Sequence, residues 1–413
     1  MQQGLNEVVM NKVQKMIEGK AVGVQATMER LLNEGKIAQD YIAPLGVNLK
    51  RNDHTPVITF DGAGSSLMLN MPEGEFSLHP NAVCQLSDRL GVPQRYLKTL
   101  ATGEPWQRSL AAQILNQHSD WTERSRVLIR AVGTQVRGVL SDSYRRLNSV
   151  EILTAFVQEA ADQGAVIADA FMNDTKVWAE TILPQPLVVP TAKNGDVVIF
   201  AGARFSTSDY GDGAVDMRAF LLNGACLNGM VRESVMKQVH LGSKLPDNLA
   251  LSQRTYELDT RTTVSAVRDL TKGLFSRDNL MQKAYEIQGA SEMDVDLERE
   301  VKKLTKDGWL LKAEGQEVEK LLMKNDPNDG VQGAATLWKL TQAITAHARD
   351  LSPERSRELH ELSGHLLSRV KLPAYVKYRP PQGRKTHVAG FYPSIRHQTL
   401  WTFKQQYIST DYC

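Results

Sequence analysis

The sequence predicts an α+β protein: a mostly antiparallel sheet with a helix across one face, flanked by an N-terminal lobe of helices and a short hairpin and by a C-terminal helical lobe. Three observations predict it. Short β-rich runs crowd the stretch from Val127 to Leu222, helical apolar periodicity dominates before and after it, and one amphipathic segment interrupts the strands after Asn148. The reading divides the chain at 1–120, 121–250, 251–370 and 371–413.

In order, residues 3–38 carry two apolar stripes, Leu5, Val8, Val9, Val13 and Met16, then Val24, Met28, Leu31 and Leu32, which predict two opening helices. TPVITFDG and SSLMLNM read as short strands separated by the turn-prone DGAG. HPNAVCQLSDRLGVPQRYLKTLATG reads as two short helices broken at Gly91 and Pro93. VLIRAV and TQVRGVL, separated by Gly133, form a hairpin or one bent strand. Asn148 and Glu151 have capping-box spacing, and Ile152, Leu153, Phe156, Val157 and Ala160 behind them make an apolar face that a sheet should cover. AVIADAF, TKVWAETIL, DVVIFAGARFS and AVDMRAFLL are four further strands, the last two joined by the polar loop TSDYGDG. Beyond about residue 255 the chain turns helical, in SAVRDLTKGLF, DLEREVKKLTKDGWLL, ATLWKLTQAITAHA and SRELHELSGHLLSRV, with NDPNDG as the breaker.

A net charge of +2 does not mark a nucleic-acid binder by itself, so the distribution of charge must carry any such claim. From Lys371 to Cys413 there are seven Lys or Arg against one acid, Asp411, interleaved with Tyr375, Tyr378, Phe391, Tyr392, Trp401, Phe403, Tyr407 and Tyr412. Cations neutralise phosphates while bases stack on rings; the alternative is a segment that packs its aromatics on the helical lobe or on a partner protein. Arg130, Arg137, Arg145 and Arg146, with Arg204 and Arg218 on later strands, line one sheet face if their registers agree, and Tyr144 stands beside them to stack on a base. The competing reading pairs strand arginines with acids such as Asp142, Glu180 or Asp216.

Several chemistries are absent from the sequence. There is no GxxxxGK[ST], HExxH, GxSxG or CxxC, so no cofactor, metal or catalytic residue is assigned and an enzyme is not the expectation. Asp209, Asp212 and Asp216 leave open a divalent-metal nuclease, although their spacing matches no EF-hand. His360 and His365 are five apart, off the same-face spacing of a helix. The pair of helices around Gly91 imitates a helix-turn-helix, but only Gln94, Arg95 and Lys98 are offered to base edges, and a structural pair is preferred. Cys84, Cys226 and Cys413 suit a reducing compartment, and no stretch is apolar enough to span a bilayer, which predicts a cytoplasmic protein.

HPNAVCQLSDRLGVPQRYL, VRGVLSDSYRRLNSVEIL and GDGAVDMRAFLLNGACLNGMV, taken in order over residues 40–242, resemble the phage/plasmid-like domain-of-unknown-function family of mobile elements. Arg146 stands where that family has a proline, while its Cys-x-Asn-Gly-Met signature is intact as Cys226, Asn228, Gly229 and Met230. The resemblance implies a bacterial host cell and the tasks of a mobile element, and no reaction. The strand order is also similar, at the level of fold alone, to the core of Rad52-like single-strand annealing proteins. The expected function is that of a non-enzymatic, homo-oligomeric single-stranded DNA-binding protein active in annealing or recombination. Arg130, Arg137, Tyr144, Arg145, Arg146, Arg204 and Arg218 would hold the strand. The alternative is an assembly or anti-defence protein that engages a host or phage protein through residues 371–413.

Overall fold

The computed structural model describes residues 2–45, 57–120, 126–142, 144, 149–224, 226–238 and 252–370. Residues Met1–Val370 form one compact unit, and the basic aromatic segment 371–413 lies outside the described residues. The class is α+β, as the strand and helix patterns predict, but the strands divide between two sheets.

The first sheet contains β1 (Ala38–Ala43), β2 (Thr59–Asp61), β3 (Met68–Met71), β4 (Gly74–Leu78), β5 (Val127–Val132) and β6 (Gln135–Ser141), in the order β1-β5-β6-β4-β3-β2. All neighbours are antiparallel except β4 and β6. β5 and β6 form a hairpin, with Gly133 at φ 57° in the turn, a conformation that disfavours any side chain. Three helices, α2 (Pro80–Leu90), α3 (Gln94–Ala101) and α4 (Pro105–Asp120), pack on this sheet through the fully buried Leu86, Leu97 and Leu115. The β5–β6 hairpin therefore belongs with the N-terminal strands, and the sequence division at 120/121 cuts through one sheet.

The second sheet is antiparallel throughout. It holds β7 (Val166–Met172), β8 (Val177–Ile182), β9 (Leu187–Val189), β10 (Val197–Thr207), β11 (Val215–Asn223) and β12 (Gly229–Gln238), ordered β12-β11-β10-β8-β7, with β9 on the start of β10. β10 is buried along its whole length because helices cover both faces. α5 (Ser149–Asp162) covers one face, where Phe156 stacks on Phe205 at 5.2 Å, and α6 (Gln253–Leu274) packs on α5.

The remaining helices, α7 (Arg277–Glu292), α8 (Leu297–Lys306), α9 (Lys312–Lys324), α10 (Leu337–Ala348) and α11 (Pro353–Leu367), share a core of Ile287, Leu304, Val318, Leu340 and Ile344 with Ile199 and Met230 of the sheet. NDPNDG becomes a 3-10 turn, Pro327–Asp329, between Asn325 at φ 51° and Gly330 at φ 72°.

α1 (Gln2–Ile37) is one helix, not two. Gly19 and Gly23 face open space, no proline interrupts the segment, and the change of apolar stripe reflects a change of neighbour along one continuous helix. Val9 and Val13 pack on the second sheet, while Thr27 and Arg30 donate to the Ala170 and Met172 carbonyls of edge strand β7. Covering that edge removes a template for foreign strands. The helix then runs straight into β1, the edge of the first sheet, and so ties both sheets together. Among the described residues no helix is long and apolar enough to cross a membrane.

Candidate functional site

The register of each strand decides what its arginine meets. Asp40 on β1 stands opposite Arg130 on β5, and the two form a bidentate pair, Nε to Oδ1 at 2.8 Å and Nη2 to Oδ2 at 3.0 Å. The remaining Arg130 donor reaches the Asp209 carbonyl at 2.9 Å. Arg137 on β6 donates to Glu34 of α1 at 2.5 Å and to the Asp174 carbonyl at 3.0 Å. On the second sheet Arg204 and Arg218 are neighbours across β10 and β11. Arg204 pairs with Glu180 on β8, Nε to Oε1 at 2.7 Å, and Arg218 with Asp216 at 2.6 Å and Glu361 of α11 at 2.8 Å.

The four described arginines do not form one basic strip, because they lie on two different sheets and each is paired with a carboxylate. Arg204 retains 3% of its exposure and Arg130 and Arg137 8% each, too little to meet a nucleic-acid backbone. Tyr144 is half-buried; burial, and then the charge of Asp209, raises its phenol well above the usual tyrosine range. Arg145, Arg146 and the proposed cap Asn148 lie outside the described residues.

α11 closes the sheet face that carries Arg204 and Arg218. His360 meets Arg204 Nη2 at 3.1 Å, and Arg357 lies over the rings of Phe171 and Trp178, at 4.7 and 5.4 Å from their centroids. The Arg204 Nη1 and Arg357 Nε groups donate to no hydrogen-bond acceptor among the described residues, and both guanidinium groups lie over aromatic rings, Arg204 over Phe220 at 5.6 Å. The ring faces supply the negative field that a carbonyl would otherwise give.

The acids of the TSDYGDG loop also diverge. Asp209 accepts from the Ser149 hydroxyl at 2.7 Å and its amide at 3.3 Å, so it caps α5 from across the chain. Asp212 accepts from Thr175 at 2.6 Å, and Asp216 from Arg218. Among the described residues no group of three His, Cys, Asp or Glu is placed to hold a metal ion.

The Cys226, Asn228, Gly229 and Met230 signature has a structural place. It is a clasp around Gln342 of α10, whose amide is touched by Asn223 at 2.8 Å, Cys226 Sγ at 3.7 Å and Met230 Sδ at 3.7 Å. Asn228 donates to the Asp329 carbonyl at 3.0 Å, and Arg349 binds both the Cys226 carbonyl and Asp329. Gly229 is required because an added Cβ would lie 2.8 Å from the Phe220 ring and 3.3 Å from His360. Burial pushes the Cys226 thiol up to about 11, which makes it an inert packing group.

Cations without carboxylate partners lie elsewhere. On α3, Leu97 and Leu100 set the buried face and turn Arg95, Lys98 and Thr99 to solvent. Beside them Tyr96 is 50% exposed, and Trp106, in the first turn of α4, 65%. α6 presents Arg254, Arg261, Arg268 and Lys272 along one exposed stripe, with Glu257 and Asp269 at its margins. None of these six cations enters an ion pair among the described residues. The sequence reading named Arg95 and Lys98 but passed over Tyr96 and Trp106; their signal is aromatic residues on the polar side of a Leu97/Leu100 helix and next to Pro105. The seven-residue spacing of Arg254, Arg261 and Arg268 was the missed signal on α6. No protein family, curated protein or solved structure matches the chain.

Proposed function

We propose that the protein binds single-stranded nucleic acid, without catalysing a reaction on it, as a homo-oligomer in the cytoplasm of a bacterial host. The observation that carries this reading is the surface of α3 and α4, where two exposed aromatic rings, Tyr96 and Trp106, accompany Arg95 and Lys98. Every base has a face to stack on an exposed ring, and unpaired cations attract phosphates. The arginines of the sheets act in this reading as structural ion pairs.

The test is binding of a labelled single-stranded oligonucleotide, and of its duplex, to the full chain across a salt series. Tyr96→Ala with Trp106→Ala should weaken single-strand binding about thirtyfold or more, because each of the two stacked bases contributes roughly 1–3 kcal/mol. Arg95→Ala with Lys98→Ala should flatten the salt dependence. The Arg145→Ala, Arg146→Ala pair belongs in the same series, since the reading also assigns these residues to the strand. Absence of binding at low salt sinks the proposal.

A further inference from the structure

The helix α6 carries a charged surface that the base-stacking reading leaves unused. Thr263, Val267, Thr271 and Leu274 are buried and seat the helix, which packs on α5, so its opposite side is turned to solvent. At about 100° per residue, Arg254, Leu258, Arg261, Ser265, Arg268 and Lys272 fall within about 40° of one line along that side. All six are exposed. Glu257 and Asp269 flank the row on opposite margins and neither interrupts it, and none of the four cations forms an ion pair with a described residue.

Two properties of this row select its partner. The first is its shape: at about 1.5 Å per residue it is a straight line about 27 Å long on a rigid element. A nucleic-acid duplex is a rod that stays stiff over about 150 base pairs, and over this length it presents about sixteen charges, one per 1.7 Å or so and twice those of one strand. The second is what the row lacks. Its neutral members are Leu258 and Ser265, so no base finds a ring to stack on, and no Asn or Gln stands in it to read a base edge. A lipid surface asks for a broad apolar face, and Leu258 is the only apolar side chain in the row.

We propose that the α6 row is a second nucleic-acid site, which holds the phosphate backbone of a duplex without reading its sequence. Arg254, Arg261 and Arg268 offer planar forks that donate to phosphate oxygens, and Lys272 offers a point charge. The site does not use Tyr96 or Trp106, so it stands or falls apart from the single-strand reading.

The experiment is titration of the full chain with a labelled blunt-ended duplex, and with a second duplex of scrambled sequence, across a salt series. Equal affinity for the two and a steep loss with salt are expected. Changing Arg254, Arg261, Arg268 and Lys272 together to Gln should lower the slope of log affinity against log salt by about 3 to 4, at about 0.9 per phosphate of duplex. Arg254→Gln, Arg261→Gln and Arg268→Gln taken singly should each lower it by about 0.9, which decides the question if the fourfold variant fails to fold. Changing the three arginines to Lys should keep the slope, and Tyr96→Ala with Trp106→Ala should leave duplex affinity unchanged while testing the other surface on the single strand. An unchanged slope in the Gln variants, duplex binding lost with Tyr96 and Trp106, or no duplex binding at low salt overturns the proposal. Phosphatidylserine vesicles that bind where the duplex does not would also overturn it, in favour of a membrane surface.

Discussion

The side chains around Arg204 show how a strongly polar cluster sits inside this fold. Burial alone would push the Glu180 carboxyl up, but Arg204 and then Arg357 outweigh it and hold it at about 2. His360 is held down to about 3 by burial and by the charge of Arg204, so it stays neutral and contributes hydrogen bonding rather than charge. Both groups bind protons less readily folded than unfolded, which makes stability fall as pH falls. The His360 contribution is complete above about pH 6.5 and is lost toward about 3; that of Glu180 is complete above about 4.5 and is lost toward about 2. Stability against denaturant should therefore fall progressively from pH 7 to 4, and His360→Gln should flatten the part of the curve above pH 4.5. Glu180→Ala should cost about 3–5 kcal/mol at pH 7, because Arg204 then stays buried without its carboxylate; a loss below about 1 kcal/mol would show that solvent reaches the site. Cys226 should react with an alkylating reagent only as fast as the protein opens.

Among the elements, α11 depends on its closest approach to the second sheet. A Cβ on Gly364 would fall 1.7 Å from the Val231 carbonyl oxygen, inside any permissible contact, and Arg232 donates to the Gly364 carbonyl at the same crossing. Gly364→Ala should displace α11 and lower stability by about 1–3 kcal/mol or more, read as a shift of the denaturant midpoint. The helix α6 supplies a prediction on binding. If Arg254, Arg261 and Arg268 each contact a phosphate, changing all three to Gln lowers the slope of log affinity against log salt by about 2, at about 0.7 per phosphate of a single strand. An unchanged slope would confine the phosphates to α3, α4 and residues outside α6. α6 itself should stay folded, because Val267, Thr271 and Leu274 keep it seated.

For the molecule as a whole, Met1–Val370 form one compact unit, with α1 joining its two sheets and the Gln342 clasp joining the second sheet to the C-terminal helices. A chain shortened to end at Val370 tests the segment 371–413. The same truncation separates two roles for the tail, with its seven cations and eight aromatic residues. Loss of oligomer mass or of a protein partner with nucleic-acid binding intact would assign the tail to assembly; loss of nucleic-acid binding alone would assign it to the strand.

The sequence by itself determined the class of the fold, the β10–β11 hairpin, the break at Gly91 and Pro93, and the helical character of the chain after residue 255, while it left β5 and β6 as a hairpin or one bent strand. These are local properties: periodicity, turn residues and caps act within a few positions. It also held both fates of the strand arginines, free or paired, and named Glu180 and Asp216 as partners, but it had no means of choosing between them. Register chose, since Arg130 meets Asp40 ninety residues away and Arg137 meets Glu34 at a similar distance. Only the tertiary structure divided the strands between two sheets, merged the opening stripes into one helix along β7, and brought Asp209 to the start of α5. Only it turned Tyr96 and Trp106 outward. Each of these depends on which surfaces meet across the chain, and the burial that pairs one charge and leaves another in solvent is a property of that meeting.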